Sequence, residues 1–186
     1  MNLTHIPFAH FDKKPWKNGL GTTHDIVLAP EGADHSTFDV RCALSPIVED
    51  NVFSSFPGVE RVITPIAGAG LDLEFEDSRV RLACCESYRF DSGLSPMGRL
   101  LDDPVTVVNV MARTGVWRIE RCEIVSSFQQ DVASEDLVFV FALGETMVRS
   151  EAGQVSLAKH DALLAHGKGT VQWDENVLFA HLSLMR

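Results

Sequence analysis

The chain has 186 residues, with 16 Lys+Arg against 26 Asp+Glu and a net charge of −10; 45% of its residues are hydrophobic and 23% charged. That length and apolar content build a real core and are not the composition of a disordered chain. The acidic balance speaks against nucleic acid and anionic membrane surfaces, which recruit Lys/Arg clusters, and no apolar run reaches the ~18 residues of a membrane span.

Residues 1–10 lack a basic stretch followed by an apolar one, so no secretory signal is read there and a cytoplasmic location is expected. The first informative stretch is Pro15-Trp16-Lys17-Asn18-Gly19-Leu20-Gly21-Thr22-Thr23-His24-Asp25-Ile26, a polar, glycine-containing segment led by an aromatic. Glycines allow close backbone approach, and exposed amides in such a turn form an anion-binding nest. It has neither the spacing of a phosphate P-loop nor the strand–helix frame of a dinucleotide fingerprint, and a tight hairpin turn is the plain alternative. Phe38-Asp39-Val40-Arg41-Cys42 then places an arginine inside an apolar, strand-like run. Phe53-Ser54-Ser55-Phe56-Pro57-Gly58-Val59-Glu60-Arg61 joins a hydroxylated turn to a second arginine. An arginine pointing into a barrel needs a carboxylate, from the protein or from a ligand.

Beyond residue 60 strand signals dominate. Short runs rich in Val, Ile, Leu and Phe, punctuated by Gly, Pro, Asp or Ser, predict strands at 61–66, 71–75, 80–84, 105–111, 116–125, 137–143, 146–149, 154–158, 169–173 and 177–184. Leu71-Asp72-Leu73-Glu74-Phe75 and Thr170-Val171-Gln172-Trp173 alternate as half-buried strands do. Helical signals are weak, with short helices expected only near 96–101 and 126–134. The strand–glycine–strand segment 61–75 is repeated in pattern at 137–149, with Gly68 and Gly144 at the turn, and a further strand and a late apolar strand follow each copy. The expected class is therefore all-β, with two jelly-roll-like halves treated as one compact unit.

Cysteines and histidines add little. Cys42, Cys84, Cys85 and Cys122 form no CxxC pair, and Cys84 and Cys85, read as strand neighbours, are expected to point to opposite faces. His160, His166 and His181 fall in the C-terminal half, where a barrel could bring them together, but their spacing matches no metal motif. No metal and no cofactor are expected.

The combined stretches resemble the HutD/Ves family. The resemblance is carried by Trp16-Lys17-Asn18-Gly19-x-Gly21-x-Thr23, Phe38-Asp39-x-Arg41, Phe53-Ser54-x-Phe56-Pro57-Gly58-x-x-Arg61, Gly68-x-Gly70-Leu71 and Val107-Val108-Asn109-Val110-Met111-x-Arg113. Departures are Leu20 where the family has glycine, His24-Asp25 where it has an Arg-Glu pair, Val40 for Trp, Ala43 for Ser and Thr114 for Arg. The resemblance implies a bicupin, two cupin-type antiparallel β-barrels (double-stranded β-helix or jelly roll) in one chain. Their approximate extents are 1–115 and 116–186, with exchange of strands between them allowed. It also implies a bacterial protein that regulates histidine utilisation by binding a small carboxylate metabolite such as a glutamate derivative. In that reading Arg61 clamps the carboxylate and Arg41 is a second candidate. Asn18, Thr23 and the amides near Gly19 and Gly21 orient the ligand, Ser54 adds a hydrogen bond, and Trp16 and Phe53 form apolar walls. A binder is favoured over an enzyme, because no nucleophile–base pair stands out. The alternatives are a cupin enzyme, isomerase-like or metal-dependent, using His24 or a C-terminal His, and a stress-response protein of the Ves type. A homodimer is compatible with either.

Overall fold

The computed structural model describes residues 1–15 and 21–185. The chain divides into two compact units, Asp12–Val116 and a discontinuous one made of Met1–Phe11 with Trp117–Arg186. Strand β1 (Asn2–Ile6) therefore leaves the unit that follows it in sequence. It pairs antiparallel with the late strand Ala162–His166, Leu3 opposite Ala165.

The Asp12–Val116 unit contains β2 (Asp12–Pro15), β3 (Thr22–Ala29), β4 (Val40–Ile47), β5 (Asn51–Val52), β6 (Val59–Ala67), β7 (Leu71–Glu74), β8 (Arg79–Leu82), β9 (Tyr88–Asp91), β10 (Met97–Leu100) and β11 (Val105–Arg113). They form a six-stranded sheet, β2-β3-β4-β11-β6-β9, and a four-stranded one, β5-β10-β7-β8. The continuous apolar runs of β4, β6 and β11 become the buried centre of the larger sheet. Ile47, Ile63 and Val107 from it pack with Leu71, Leu73 and Leu82 of the smaller one. Pro65 can donate no ladder hydrogen bond, and the β6–β11 register shifts where it stands opposite Val107. Gly68, at φ +90°, turns β6 into β7 where an added Cβ would sit 2.5 Å from the Pro104 carbonyl oxygen.

The second unit adds β12 (Trp117–Val125), β13 (Phe128–Val132), β14 (Leu137–Ala142), β15 (Thr146–Ser150), β16 (Gly153–Leu157), β17 (Ala162–His166), β18 (Gly169–Trp173) and β19 (Val177–Leu184). Its sheets run β1-β17-β14-β19-β12 and β13-β18-β15-β16. Count the eight strands β4–β11 and the eight strands β12–β19 each from one to eight. Both then give the orders 1-8-3-6 and 2-7-4-5, the jelly-roll pairing. The sequence repeat is thus a repeat of topology, β6–β7 corresponding to β14–β15. Each unit adds its own extra strands, β2 and β3 beside β4 in one, β1 beside β17 in the other. The interior of the second unit is filled by side chains including Trp173, Phe179, Leu157, Leu163 and Val140, all fully buried. No described helix is long and apolar enough to cross a membrane.

Three expectations are corrected. Within residues 96–101 the chain forms β10 (Met97–Leu100) rather than a helix. Gly98 lets the Phe53 ring lie against the strand, where an added Cβ would meet ring carbon Cε2 at 2.6 Å, and β10 pairs with β5 and β7. Within residues 126–134 the chain forms β13 (Phe128–Val132), paired with β18. Phe128, Gln130 and Val132 alternate with more exposed neighbours, and that period of two outweighs the helical preference of glutamine. Cys84 and Cys85 lie in the turn after β8, not on a strand, and their sulfurs are 3.7 Å apart.

Candidate functional site

A cavity of about 190 Å³ opens into the barrel of the Asp12–Val116 unit. Three adjacent strands build its floor. Met111 on β11 is opposite Arg41 of β4 on one side and Arg61 of β6 on the other, so both arginines share a row and a face. Asn109, two residues along, shares that face. Pro15, Thr23, Ser45, His35 and the Phe53–Phe56 segment complete the wall. One end is polar, and it grades through Ile47 into the apolar barrel core.

The two arginines differ in their partners. Arg41 is 5% exposed and places Nε 2.8 Å and Nη2 2.7 Å from Asp25 Oδ1. Its Nη2 also donates to Thr23 Oγ1 at 3.3 Å, and Thr23 and Ser45 share a hydroxyl hydrogen bond of 3.0 Å. Asp25 reaches this position because the β3–β4 register shifts between Asp25 and Val27. Its other oxygen is 2.7 Å from His35 Nε2. The buried guanidinium and carboxylate and the partly exposed imidazole of His35 therefore form one hydrogen-bonded chain.

Arg61 is only 2% exposed, and no carboxylate among the described residues pairs with it. Nη2 donates to the Ser54 carbonyl oxygen at 3.0 Å, while the buried Nε has no partner. The rings of Phe53, Phe56 and Phe90 surround the guanidinium, their centres 5.6, 5.5 and 5.5 Å from its carbon. Cation–π attraction offsets part of the desolvation, about 0.5–2 kcal/mol per ring, but replaces no counter-ion. Burial, and then the charge of Arg41, push Arg61 down to about 9, so it remains a cation at neutral pH. The Asn109 side-chain carbonyl is also buried without a partner. A buried cation with an idle donor, beside an idle acceptor and an open cavity, is an arrangement that a ligand would complete.

Of the residues singled out in sequence, Thr23, Arg41, Phe53, Ser54 and Arg61 come together around this cavity. Gly21 is not among the lining residues, and Trp16, Asn18 and Gly19 lie outside the described residues. His24 is on β3 between Thr23 and Asp25, so strand alternation turns it to the opposite face. The departure from the family's arginine therefore falls away from the cavity, and Asp25 keeps the carboxylate. Sequence reasoning did not single out His35, Ser45, Asn51, Phe56, Asn109 or Met111 as lining residues. Asn109 had a readable signal, an amide in the middle of Val105-Thr106-Val107-Val108-Asn109-Val110-Met111-Ala112. His35 had none, since it sits in the loop between β3 and β4.

The C-terminal histidines do not converge. His181 Nε2 is 2.8 Å from Asp136, His166 is opposite Asn2 and Leu137, and His160 stacks on Phe141. Among the described residues no three His, Cys, Asp or Glu side chains gather closely enough to hold a metal ion.

Two jelly-roll barrels in one chain, one with a polar-lined cavity, define a cupin-type bicupin, the fold shared by its solved structural neighbours. The model of the HutD family matches residues 9–179, and the chain belongs to that family. A 21.2 kDa Pseudomonas putida protein described by its position 3′ of hutC is 27% identical over 161 residues, covering 84% of this chain and 83% of that protein. Protein Ves of Escherichia fergusonii is 36% identical over 63 residues, only 34% of this chain and 32% of Ves. The solved structure of HutD from Pseudomonas fluorescens SBW25 covers 100% of both chains with a TM-score of 0.85 at 23% identity.

Proposed function

We propose that the protein binds a small carboxylate metabolite in the barrel of the Asp12–Val116 unit and acts in the regulation of histidine utilisation. One observation carries the reading. Arg61 is a buried cation facing the cavity, with no described carboxylate partner and its Nε unsatisfied. A ligand carboxylate would supply both the missing charge and the missing acceptor, in the planar geometry a guanidinium prefers. Asn109 Oδ1 calls for a donor, so an N–H or O–H beside the carboxylate, as in a glutamate derivative, suits the same cavity. The phenylalanine walls suit its aliphatic part. Family membership and the hutC-adjacent relative support the pathway assignment. The protein works in the cytoplasm in this proposal, alone or as a homodimer, and light scattering decides between those states. Calorimetric titration with the carboxylic acids of histidine breakdown tests the ligand. Saturable one-site binding that Arg61→Ala weakens strongly is the expected result; no binding by folded protein would reject it.

A second reading rests on His35. Its Nε2 is 2.7 Å from Asp25, and the ring lines the cavity. A histidine oriented by a carboxylate beside an anion clamp is the arrangement of a general base, so a cupin enzyme of the isomerase type is the alternative. Chemical change of a bound acid, followed by NMR and lost in His35→Ala, would replace the first reading with this one.

A further inference from the structure

Cys84 and Cys85 take no part in the cavity or in either core. Both are exposed, in the turn that links β8 to β9. On a strand their side chains would diverge. Here Cys85 has φ +72°, a left-handed conformation that costs a non-glycine residue about 1–2 kcal/mol. The two thiols come to the same side as a result, 3.7 Å apart. The turn is held in this form. Cys85 N–H donates to the Pro65 carbonyl at 2.8 Å, Glu86 N–H to the Ala83 carbonyl at 3.2 Å, and Ala83 N–H to Glu86 Oε2 at 2.9 Å. A strained residue that gathers two thiols at the surface, with no packing role, points to a use for the pair.

The spacing says what kind of use. Neighbouring Cα atoms are about 3.8 Å apart across a trans peptide, short of the roughly 4.4 Å at which ordinary disulfides begin. A direct S–S bond is therefore a poor fit. Two thiolates on one tetrahedral centre with bonds of about 2.3 Å stand about 3.8 Å apart, close to the observed 3.7 Å. We infer that Cys84 and Cys85 form a surface dithiol clamp for a single thiophilic centre, a soft divalent metal ion or trivalent arsenic. Soft sulfur ligands select such centres over hard cations. The centre completes its shell with water or with groups it brings, so no third protein ligand is required.

Phenylarsine oxide is the first probe. Its arsenic–oxygen bond and two S–H bonds break, two arsenic–sulfur bonds form and water leaves, with no change in oxidation state. The full-length protein, reduced and folded, is treated with one equivalent and then challenged with excess glutathione before intact-mass measurement. Cadmium ion, followed by its thiolate absorbance, is the second probe. Closing a chelate on two preplaced sulfurs strengthens binding by about 10²–10⁴-fold over a single thiol. Wild-type protein should therefore keep at least one of the two centres through the challenge, and the one it keeps identifies the source. Cys84→Ser should lose it with unchanged melting, and Cys85→Gly should lose it with melting unchanged or raised, the glycine being at home at φ +72°. Cys122→Ser should retain it. The inference fails if wild type keeps neither centre, or if either variant in the pair keeps it as well as wild type.

Discussion

Arg41 and Arg61 flank the same residue, Met111, from opposite sides of β11, yet among the described residues a carboxylate pairs with Arg41 and none with Arg61. Two guanidinium groups on one face of one sheet would be hard to bury together. Asp25 resolves half of that problem, and in the proposed function a ligand carboxylate resolves the other half.

Replacing Arg61 should therefore separate binding from folding. Arg61→Met removes a buried cation that lacks a counter-ion, so the unliganded protein should melt at the same or a higher temperature. The same change should weaken carboxylate binding by about 2–5 kcal/mol, the usual cost of truncating one partner of a buried charge pair. Arg61→Lys keeps the charge but loses the planar fork, and should recover only part of the affinity. Differential scanning fluorimetry and calorimetry read the two effects.

Asp25→Asn should act in the opposite sense. It leaves Arg41 buried without its carboxylate and adds a second unpaired charge near Arg61. A loss of about 3–5 kcal/mol is expected in urea denaturation. The double variant Asp25→Asn, Arg41→Met should recover much of it.

Much of this was legible in the chain. Period-two alternation and the repeat around Gly68 and Gly144 already implied two antiparallel barrels, and both arginines stood out as charges in apolar or small-residue settings. What separated them was not legible. The partner of Arg41 depends on a register shift at the centre of β3, and His35 comes from a loop whose path no periodicity encodes. The 96–101 and 126–134 segments were misread because four or five residues with one glycine or two glutamines carry too little pattern to tell a strand from a turn of helix.

Gly98→Ala should damage the site from a distance. The new methyl would press into the Phe53 ring, and that ring is one wall of the Arg61 cage. Ligand affinity should fall by roughly tenfold, in line with about 1–3 kcal/mol for overpacking shared between the ring and the strand. The melting temperature should fall with it. Restoring room with Phe53→Leu in the same chain should recover stability more than affinity.

Asp72 contributes to acid stability. It is 1% exposed; hydrogen bonds from Arg81, with Arg79 adding to them, hold its carboxyl below the ordinary carboxylate range against the opposing effect of burial. Its folded-state pKa is depressed. The stability it contributes is thus fully present above the unfolded value of 3.8 and is lost as pH falls through the folded one. Asp72→Asn should lower stability at neutral pH and flatten the fall of stability at acid pH, measured by urea titrations at several pH values.

Strand β1 also sets an order of events during synthesis. It leaves the ribosome before the Asp12–Val116 barrel, but its partner β17 emerges only near residue 166. The first barrel has all of its own strands by then, while β1 waits unpaired until Ala162, the partner of Ile6, has been made. Two such partners far apart in sequence make a closure with a high entropy cost and a slow rate. The barrel that is completed last is therefore the one whose folding lags, and the cavity-bearing barrel has the means to form while the rest of the chain is still being made.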